Sequence, residues 1–243
     1  MTSLTSTAIE LNLMHGLTAV PINKLVGSRF TSGSGTYSPT TGMVFVYVRI
    51  FGAGGGGGGC TGASGQSAAG GGGASGATAE FIMTAAQIGA GVSYAVGAAG
   101  TAGANTGGTG GTGGNTTFSD WTAQGGAGGV GCTASASSQV IAGGAANSVV
   151  IGTGFLITAY AGSPGGYGFT LTTTLAMPGY GPCAAYQGNF APPTPAISAG
   201  ANTGTAVGVG AGGSGASTLN TATAAIGGSG AIGRILLIEY LSA

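Results

Sequence analysis

The sequence predicts an all-β protein, an antiparallel sandwich or jelly-roll-like framework enclosing glycine-rich loops, some of them polyglycine helices of the polyproline II type. Three observations lead to this prediction. Short segments rich in valine, isoleucine, threonine and aromatic residues recur along the chain. Glycine supplies 57 of the 243 residues. Several of the glycine runs repeat every three residues. Sequential strands joined by such excursions favour antiparallel pairing.

The strand pattern begins with residues 30–38 (FTSGSGTYS), which predict a polar strand ended by Pro39. The strongest strand is MVFVYVRIF, residues 43–51. Both of its alternating faces are largely apolar, so we expect it to lie centrally in a sheet that is covered on both sides.

The later strands are separated by polar or glycine-rich segments. They are predicted at residues 78–83, 92–96, 116–123, 148–152, 155–160 and 234–241. After the first of these, Thr84 is followed three residues later by Gln87. This capping-box spacing predicts one helical turn that ends at Gly89.

The twelve residues NTGGTGGTGGNT, 105–116, show the three-residue period most clearly. A polyproline II helix has three residues per turn, and glycine lets such helices pack backbone against backbone and pair their N–H and C=O groups. We expect residues 107–115 to form such a helix with Thr109, Thr112 and Asn115 facing outward. A flexible linker is the simplest alternative. Collagen needs proline in this stretch and a phosphate-binding loop needs a lysine, and neither is present.

Composition excludes several classes of partner. The chain has four cationic and four anionic residues and no net charge. Four scattered cations cannot form the basic track that nucleic-acid binding needs, nor attract anionic lipid heads. No apolar stretch is long enough for a membrane-spanning helix, and the N-terminus does not resemble a secretory signal peptide. We expect an oligomer or larger particle, made in the cytoplasm and kept there or exported within something else.

Neither the cysteines nor the single histidine form a recognisable reactive motif. Cys60, Cys132 and Cys183 are odd in number and lack CxxC spacing, so small buried thiols are the simplest interpretation. No nucleophile or acid lies at a sequence spacing from His15 that would indicate a catalytic triad. We therefore predict no catalytic residues, no metal site and no cofactor.

The acidic residues also favour a structural role over a catalytic one. Glu80, Asp120 and Glu239 stand alone on predicted strands. A glycosidase-like pair needs two carboxyl groups about 5–10 Å apart, which spacing in sequence does not indicate. Pairing of each acid with Arg49 or Arg234 is the simpler expectation.

The chain divides into an N-terminal arm, residues 1–29, and a glycine-rich β domain, residues 30–243. The arm is poor in glycine and contains short apolar clusters that would suit contact with another subunit or protein. The residues predicted for attachment or oligomerisation are Leu11, Leu13, Met14, Leu17, Ile22 and Leu25.

A candidate recognition surface lies in residues 159–195, where aromatic side chains are concentrated among glycine and proline. Aromatic residues on a scaffold of small polar ones are typical of adaptable binding surfaces and would suit sugars or an exposed protein loop. The candidates are Tyr160, Tyr167, Phe169, Tyr180, Tyr186, Asn189 and Phe190. The alternative is that these side chains fill gaps in the glycine packing or lie in a subunit interface. Trp121 is expected in the core or in an interface.

Four motifs in order resemble the glycine-rich domain found at the ends of many bacteriophage tail fibre proteins. The first runs from the FTSGSGTYSP turn through the valine-rich strand into GAGGGGGG. The others are TAAQIGAGVSYAVGAAG at 84–100, NTTFSDWTAQGGAGG at 115–129 and GSGAIGRILLIEY at 228–240. Together they span about residues 30–240, although residues 160–195 are richer in tyrosine and proline than that pattern.

The resemblance implies a non-enzymatic virion protein, a tail fibre or fibre-tip adhesin, generally trimeric, that binds a bacterial surface glycan or outer-membrane protein. Its N-terminal segment would contact other virion proteins. Since only about 29 residues precede the domain, we expect a stand-alone tip, a short fibre or another exposed appendage. The alternatives are a virion decoration or connector protein without receptor contact, and an extracellular filament or ice-binding protein with regularly spaced threonines.

Overall fold

The strands of the described residues form four antiparallel sheets, in agreement with the all-β prediction. A computed structural model describes residues 22–187, 191–196, 200–205 and 207–242. The two larger sheets form a sandwich, a bundle of glycine helices extends from one end of the sandwich, and two small sheets lie at the far end of that bundle.

Sheet A has five strands in the order β1-β16-β3-β5-β11. Their bounds are β1 Ile22–Phe30, β3 Met43–Phe51, β5 Thr78–Thr84, β11 Phe155–Tyr160 and β16 Arg234–Ser242. Sheet B has the order β10-β8-β7-β6-β2. Its strands are β2 Ser34–Tyr37, β6 Val92–Ala95, β7 Thr116–Phe118, β8 Trp121–Ala123 and β10 Val149–Val150.

The hydrophobic core lies between sheets A and B. Val46, Val48 and Ile50 alternate along β3 and are fully buried in this core. Trp121 of sheet B stacks on Phe81 of sheet A with ring centroids 4.0 Å apart. The Trp121 indole N–H donates to the Thr153 carbonyl oxygen at 2.8 Å, so its polar atom is satisfied as well. The expectation that Trp121 belongs to the core is confirmed.

The opposite face of β3 differs from the sequence prediction. The strand is central in sheet A, as expected. However, Phe45, Tyr47 and Arg49 on its second face are only half-buried, because no described element covers that side of the sheet. A second difference is that β1 starts at Ile22 and pairs with β16, so the last residues of the predicted arm belong to sheet A.

A single helical turn, α1 (Ala85–Ile88), follows β5 as predicted. The Thr84 hydroxyl accepts from the Gln87 N–H at 3.4 Å, and the Gln87 side-chain oxygen accepts from the Thr84 N–H at 2.8 Å. Gly89 ends the helix with a positive φ of 58°. The capping box and the C-terminal glycine are therefore confirmed.

The glycine-rich stretches form a bundle of threefold helices that begins where β3 ends. Residues 52–60 lie at its centre, and every backbone N–H of this helix donates to a neighbouring segment. Successive N–H groups donate in turn to three antiparallel neighbours, first residues 70–77, then 107–115, then 225–233. The carbonyl groups of residues 53–59 accept from three parallel neighbours: residues 97–104, 124–132 and 211–216. The direction of these hydrogen bonds repeats every three residues, as expected for a polyproline II helix.

This central position explains the run of six glycines at 54–59. A Cβ atom added at any of them would lie 1.8–2.1 Å from a backbone oxygen of a neighbouring helix. Backbone atoms held by their own hydrogen bonds cannot move aside, so these six positions must be glycine. A helix at the rim of the bundle has one side free and follows a different rule.

Residues 107–115 are such a rim helix, and the prediction for them is confirmed. Thr109, Thr112 and Asn115 are exposed in one row. Gly110 and Gly113 point inward, where an added Cβ would lie 2.0 Å and 2.3 Å from carbonyl oxygens of the central helix. The pattern GGT repeats because two of every three residues contact other helices.

The far end of the bundle is closed by two three-stranded sheets that the sequence did not predict. Sheet C contains β9 Gln139–Ile141, β12 Gly168–Leu171 and β13 Leu175–Met177. Sheet D contains β4 Ala63–Ala69, β14 Gly200–Asn202 and β15 Ser217–Thr221. The chain therefore runs out along helix 52–60, through β4, and back along helix 70–77 into β5.

Cysteines lie at this far end and at the side of the bundle, and all three are free thiols. Cys60 and Cys132 are buried in a small cluster with Ala68, Ala216 and Ala225. Burial raises the pKa of both thiols, and the proximity of Cys132 raises that of Cys60 further. The expectation of small buried thiols holds for these two, whereas Cys183 is half-exposed.

The acidic residues on the strands and loops bind different partners. Arg49 Nε lies 2.7 Å from Glu80 Oε1, as expected. The expectation that Asp120 and Glu239 also pair with arginine is wrong. Glu239 is buried and accepts from the Tyr37 hydroxyl at 2.5 Å. Asp120 accepts from the Thr153 N–H and hydroxyl.

We expect the substitution Gly57→Ala to lower the free energy of unfolding by about 3 kcal/mol or more, since its Cβ would lie 2.0 Å from the Ser214 carbonyl oxygen. Denaturant unfolding followed by the fluorescence of buried Trp121 measures this change. The matched control is Gly27→Ala in β1, where the nearest atom would be 4.0 Å away. Its stability should change by less than about 1 kcal/mol. Equal stability of the two variants would contradict the packing of the central helix.

Candidate functional site

Five of the predicted recognition residues lie along one side of the bundle. We call this set, Tyr160, Tyr167, Phe169, Tyr180 and Tyr186, the aromatic strip. All five side chains are exposed although each is large and apolar in part. Asn189 and Phe190 lie outside the described residues. Large exposed apolar patches mark interaction sites more often than scattered single residues do.

The first groove of the strip has a volume of about 560 Å³ and contains three of its members. Tyr167 and Phe169 lie with ring centroids 6.3 Å apart. The floor is glycine backbone at residues 143–144 and 165–166, and the remaining walls include three prolines and Met177. Flat aromatic and proline walls above a backbone floor make an apolar cleft in which backbone groups supply the polar contacts.

Local structure positions two of the aromatic rings in this groove. Phe169 lies on β12 and is paired directly with Met177 of β13 and Val140 of β9. The Gly166 N–H donates to the Tyr180 carbonyl oxygen at 2.9 Å. A Cβ at Gly166 would lie 2.4 Å from the Tyr180 ring, so glycine is required for the ring to lie across the neighbouring helix.

The second groove, about 380 Å³, contains the other two tyrosines of the strip. The rings of Tyr160 and Tyr186 meet edge to face at 5.5 Å. The Arg49 guanidinium lies 4.8 Å from the Tyr186 ring centroid, and this cation–π contact joins the strip to sheet A. Tyr186 has a positive φ of 63°, a costly conformation for a bulky residue that orients its ring.

The two grooves are continuous. A depression of about 440 Å³, lined by Ser163, Tyr180, Pro182 and Cys183, lies between them. It shares Tyr180 with the first groove, and Ser163 and Cys183 with the second. No charged side chain lines any of the three, and Arg49 adjoins them only through its contact with the Tyr186 ring, so the described surface favours an uncharged ligand.

Tyr160 and Tyr186 shift each other's acidity in opposite directions. Interaction with the Tyr160 hydroxyl raises the pKa of Tyr186 to about 12. Interaction with the Tyr186 and Thr158 hydroxyls lowers the pKa of Tyr160. Both tyrosines line the second groove.

Several residues of the site were missed by sequence reasoning. Val140, Met177 and the half-exposed Cys183 lie beside the predicted aromatics. The alternation of GFTL and LAM around a short turn is the pattern that indicates the β12–β13 hairpin and hence Met177. Nothing in the local sequence places Val140 there, because its pairing with Phe169 spans distant parts of the chain.

The predicted attachment residues fall mainly outside the described part of the chain. Leu11, Leu13, Met14 and Leu17 lie there, and Ile22 is described only as the first residue of β1. Leu25 is exposed on sheet A. It lies at the end of the sandwich opposite the bundle, since its partner Tyr240 is close to the end of β16.

The described residues contain no group of three or more histidine, cysteine or acidic side chains arranged to hold a metal ion. They also include no helix of the length and apolarity that crossing a membrane requires. The exposed carboxylate of Asp120 has a structural role. Burial alone would raise its pKa, but hydrogen bonds from Thr153 outweigh burial and lower that pKa, as suits a carboxylate that shapes a loop.

Comparison with known proteins identifies the family. A family model described as a glycine-rich domain matches residues 30–237. The chain belongs to this family of glycine-rich domains. A comparison with curated proteins finds no match to this chain. The matched region begins at Phe30, the residue that opens the first motif of the sequence, and includes the whole aromatic strip.

We expect the substitution Tyr186→Phe to raise the pKa of Tyr160 toward the ordinary value of about 10, because Tyr160 loses the interaction with the Tyr186 hydroxyl that lowers its pKa. NMR titration of tyrosine labelled with carbon-13 at Cζ measures this pKa. The control is Tyr167→Phe, which should leave the titration of Tyr160 unchanged. An unchanged Tyr160 in the Tyr186→Phe protein would show that the two hydroxyls do not interact.

Proposed function

We propose that this chain is a structural protein of a bacteriophage virion, a tail fibre or fibre-tip adhesin that binds a receptor on the host cell surface. Membership of the glycine-rich domain family supports this proposal. The four ordered motifs that resemble the tips of tail fibres supply the link to phage. The protein acts by adsorption, without catalysis and without a cofactor.

The observation that carries the proposal is the continuity of the aromatic strip. Side chains separated by up to 26 positions, from Tyr160 to Tyr186, lie in grooves that share walls. They are carried by segments whose backbone is bonded to the rigid glycine bundle. Recognition residues held on a rigid scaffold bind with little loss of conformational freedom.

The chemistry of the strip favours a neutral ligand with apolar faces and hydroxyl or amide groups. Tyrosine rings stack on the faces of sugars or on the side chains of an exposed peptide loop, while hydroxyl groups and glycine backbone supply polar contacts. A bacterial surface glycan or a loop of an outer-membrane protein meets this description. A polyanion does not, because the lining residues contain no cation.

Weak contacts suffice if several copies act together. We propose a homotrimer that is attached to other virion proteins through its N-terminal segment. Linked sites bind with an effective concentration that raises the overall affinity well above that of one site. The end of the sandwich that carries Leu25 would then face the virion, while the bundle and sheets C and D point toward the host. The virion would be assembled in the host cytoplasm.

We expect virions with Tyr167→Ala and Tyr180→Ala to lose adsorption by about 30-fold or more, because central aromatic residues typically contribute about 2 kcal/mol or more to an interface. Adding Tyr186→Ala should abolish adsorption. The measurement is the rate at which free virions disappear from a suspension of host cells. Assembly should be unaffected, since these side chains are exposed.

The matched control is Ile232→Ala, another exposed apolar residue, which lines none of the three grooves. Its adsorption should equal that of the unmodified virion. Normal adsorption of the tyrosine variants would overturn the assignment of the site. Antibody labelling of the virion tests the wider proposal, with label expected at fibre ends. Label on the capsid would favour a decoration or connector protein.

A second candidate function is binding to ice, and one observation favours it. Two adjacent rim helices expose uncharged rows with the three-residue period: Ala98, Thr101 and Ala104, and Thr109, Thr112 and Asn115. Successive members of a row lie about 9.3 Å apart. The adhesin proposal predicts no thermal hysteresis in a freezing assay. Hysteresis that Thr112→Lys removes would favour the ice-binding function instead.

A further inference from the structure

The outer face of sheet A, the side away from sheet B, is an open apolar surface. Phe155, Leu25 and Ile238 are exposed on it to 70%, 59% and 37%. Leu25, Tyr240 and Phe45 form a direct cross-strand row through the pairing of β1, β16 and β3. The rings of Phe45 and Tyr240 stack at 4.3 Å. Exposed apolar faces of this kind mark interaction sites.

The same sheet holds the positive charge of the chain. All four lysine and arginine residues lie on β1, β3 and β16. Cross-strand pairing places Arg29, Leu236, Arg49 and Glu80 in one row, with Arg234 two residues along β16 from Leu236. The strand register places the three arginines near one another. Burial, and then the charges of Arg29 and Arg49, accordingly lower the pKa of Arg234.

Two of these arginines have no carboxylate partner among the described residues. Glu80 is bound to Arg49. Glu239 and Asp120 are bound elsewhere, to Tyr37 and Thr153. The Arg234 Nε atom is buried and makes no hydrogen bond within the described chain. A partner that supplies a negative charge would therefore complement this face.

A second copy packed face to face does not supply that charge. With its two-fold axis at the arginine row it would place like charges against each other, which is repulsive out of water. With the axis elsewhere it would supply no free carboxylate, since the three described acids are already bonded. The occupant must instead combine apolar side chains with an acid.

Residues 1–21 have this composition. They contain Glu10, the fourth acid of the chain, and no lysine or arginine. The nearby apolar residues include Leu11, Leu13 and Met14. The segment joins β1 at Ile22, opposite Ser242 and at the same end of the sheet as the Leu25–Tyr240–Phe45 row.

The length of the segment is sufficient. The arginine row at Arg29 lies about 24 Å along β1 from Ile22, at about 3.4 Å per residue. The chain between Glu10 and Ile22 can span up to about 40 Å when extended. Glu10 can therefore reach the arginines even if the chain turns back at Pro21.

We propose that residues 1–21 dock on the outer face of sheet A of their own chain, with Glu10 against Arg29 and Arg234 and the leucines over Leu25, Ile238 and Tyr240. The docked segment satisfies the unpaired arginines and covers the second face of β3. This contact does not depend on the proposed receptor binding. It is an alternative to the attachment to other virion proteins proposed above for the same N-terminal segment.

Carbodiimide cross-linking tests the proposal in the full-length chain. The variant Lys24→Arg with Arg29→Lys keeps every charge and places the single lysine at the proposed contact. We expect a direct amide link between Glu10 and position 29, identified by mass spectrometry. A mixture of nitrogen-14 and nitrogen-15 chains should give links within one isotope only. Glu10→Gln in the same background is the control and should give no such link.

A second measurement tests the proposal if the carbodiimide reaction is inefficient. Acetylation of the lysine at position 29 should be several-fold slower when Glu10 is present than in the Glu10→Gln control, and 1 M salt should remove most of the difference. Absence of both the link and the slowing would overturn the proposal. Links between differently labelled chains would also overturn it, because they would show that the segment docks on a neighbouring copy.

Discussion

Backbone hydrogen bonding between glycine helices is the constraint on which the rest of this structure depends. A polyproline II helix makes no internal hydrogen bonds, so each N–H and C=O must find a partner in another helix. Ordering a glycine costs about 0.5–1 kcal/mol more than ordering an alanine. A hydrogen bond returns about 0.5–1.5 kcal/mol net. The bundle is therefore stable only where nearly every group is paired, as along residues 52–60.

The sandwich supplies the apolar core that the bundle lacks. Glycine has no side chain to bury, so the apolar core of the protein lies between sheets A and B, around Trp121 and Phe81. Strand β3 leads directly into helix 52–60, and helix 70–77 leads directly into strand β5. Their pairing in sheet A sets the spacing of the first two helices, and the remaining helices add around them.

The aromatic strip depends on this arrangement in turn. Its rings are large and exposed, yet the segments that carry them are bonded to helix 70–77 through residues 163, 166 and 179. Gly166 leaves room for the Tyr180 ring, and Arg49 of sheet A holds the Tyr186 ring. Side chains large enough for recognition therefore lie at the rim, because interior positions of the bundle have no room for them.

Much of the fold follows from local pattern, because strands and threefold helices are periodic. The alternation of residues 43–51, the capping box at Thr84 and the exposed row of Thr109, Thr112 and Asn115 are each determined by spacing alone. Aromatic composition likewise indicated the strip, without Val140 or Met177. Tertiary structure decided how helices neighbour one another, which acids meet arginine, and that no described element covers one face of β3. These outcomes depend on pairing between distant segments, and glycine carries no side chain whose pattern could specify the partner.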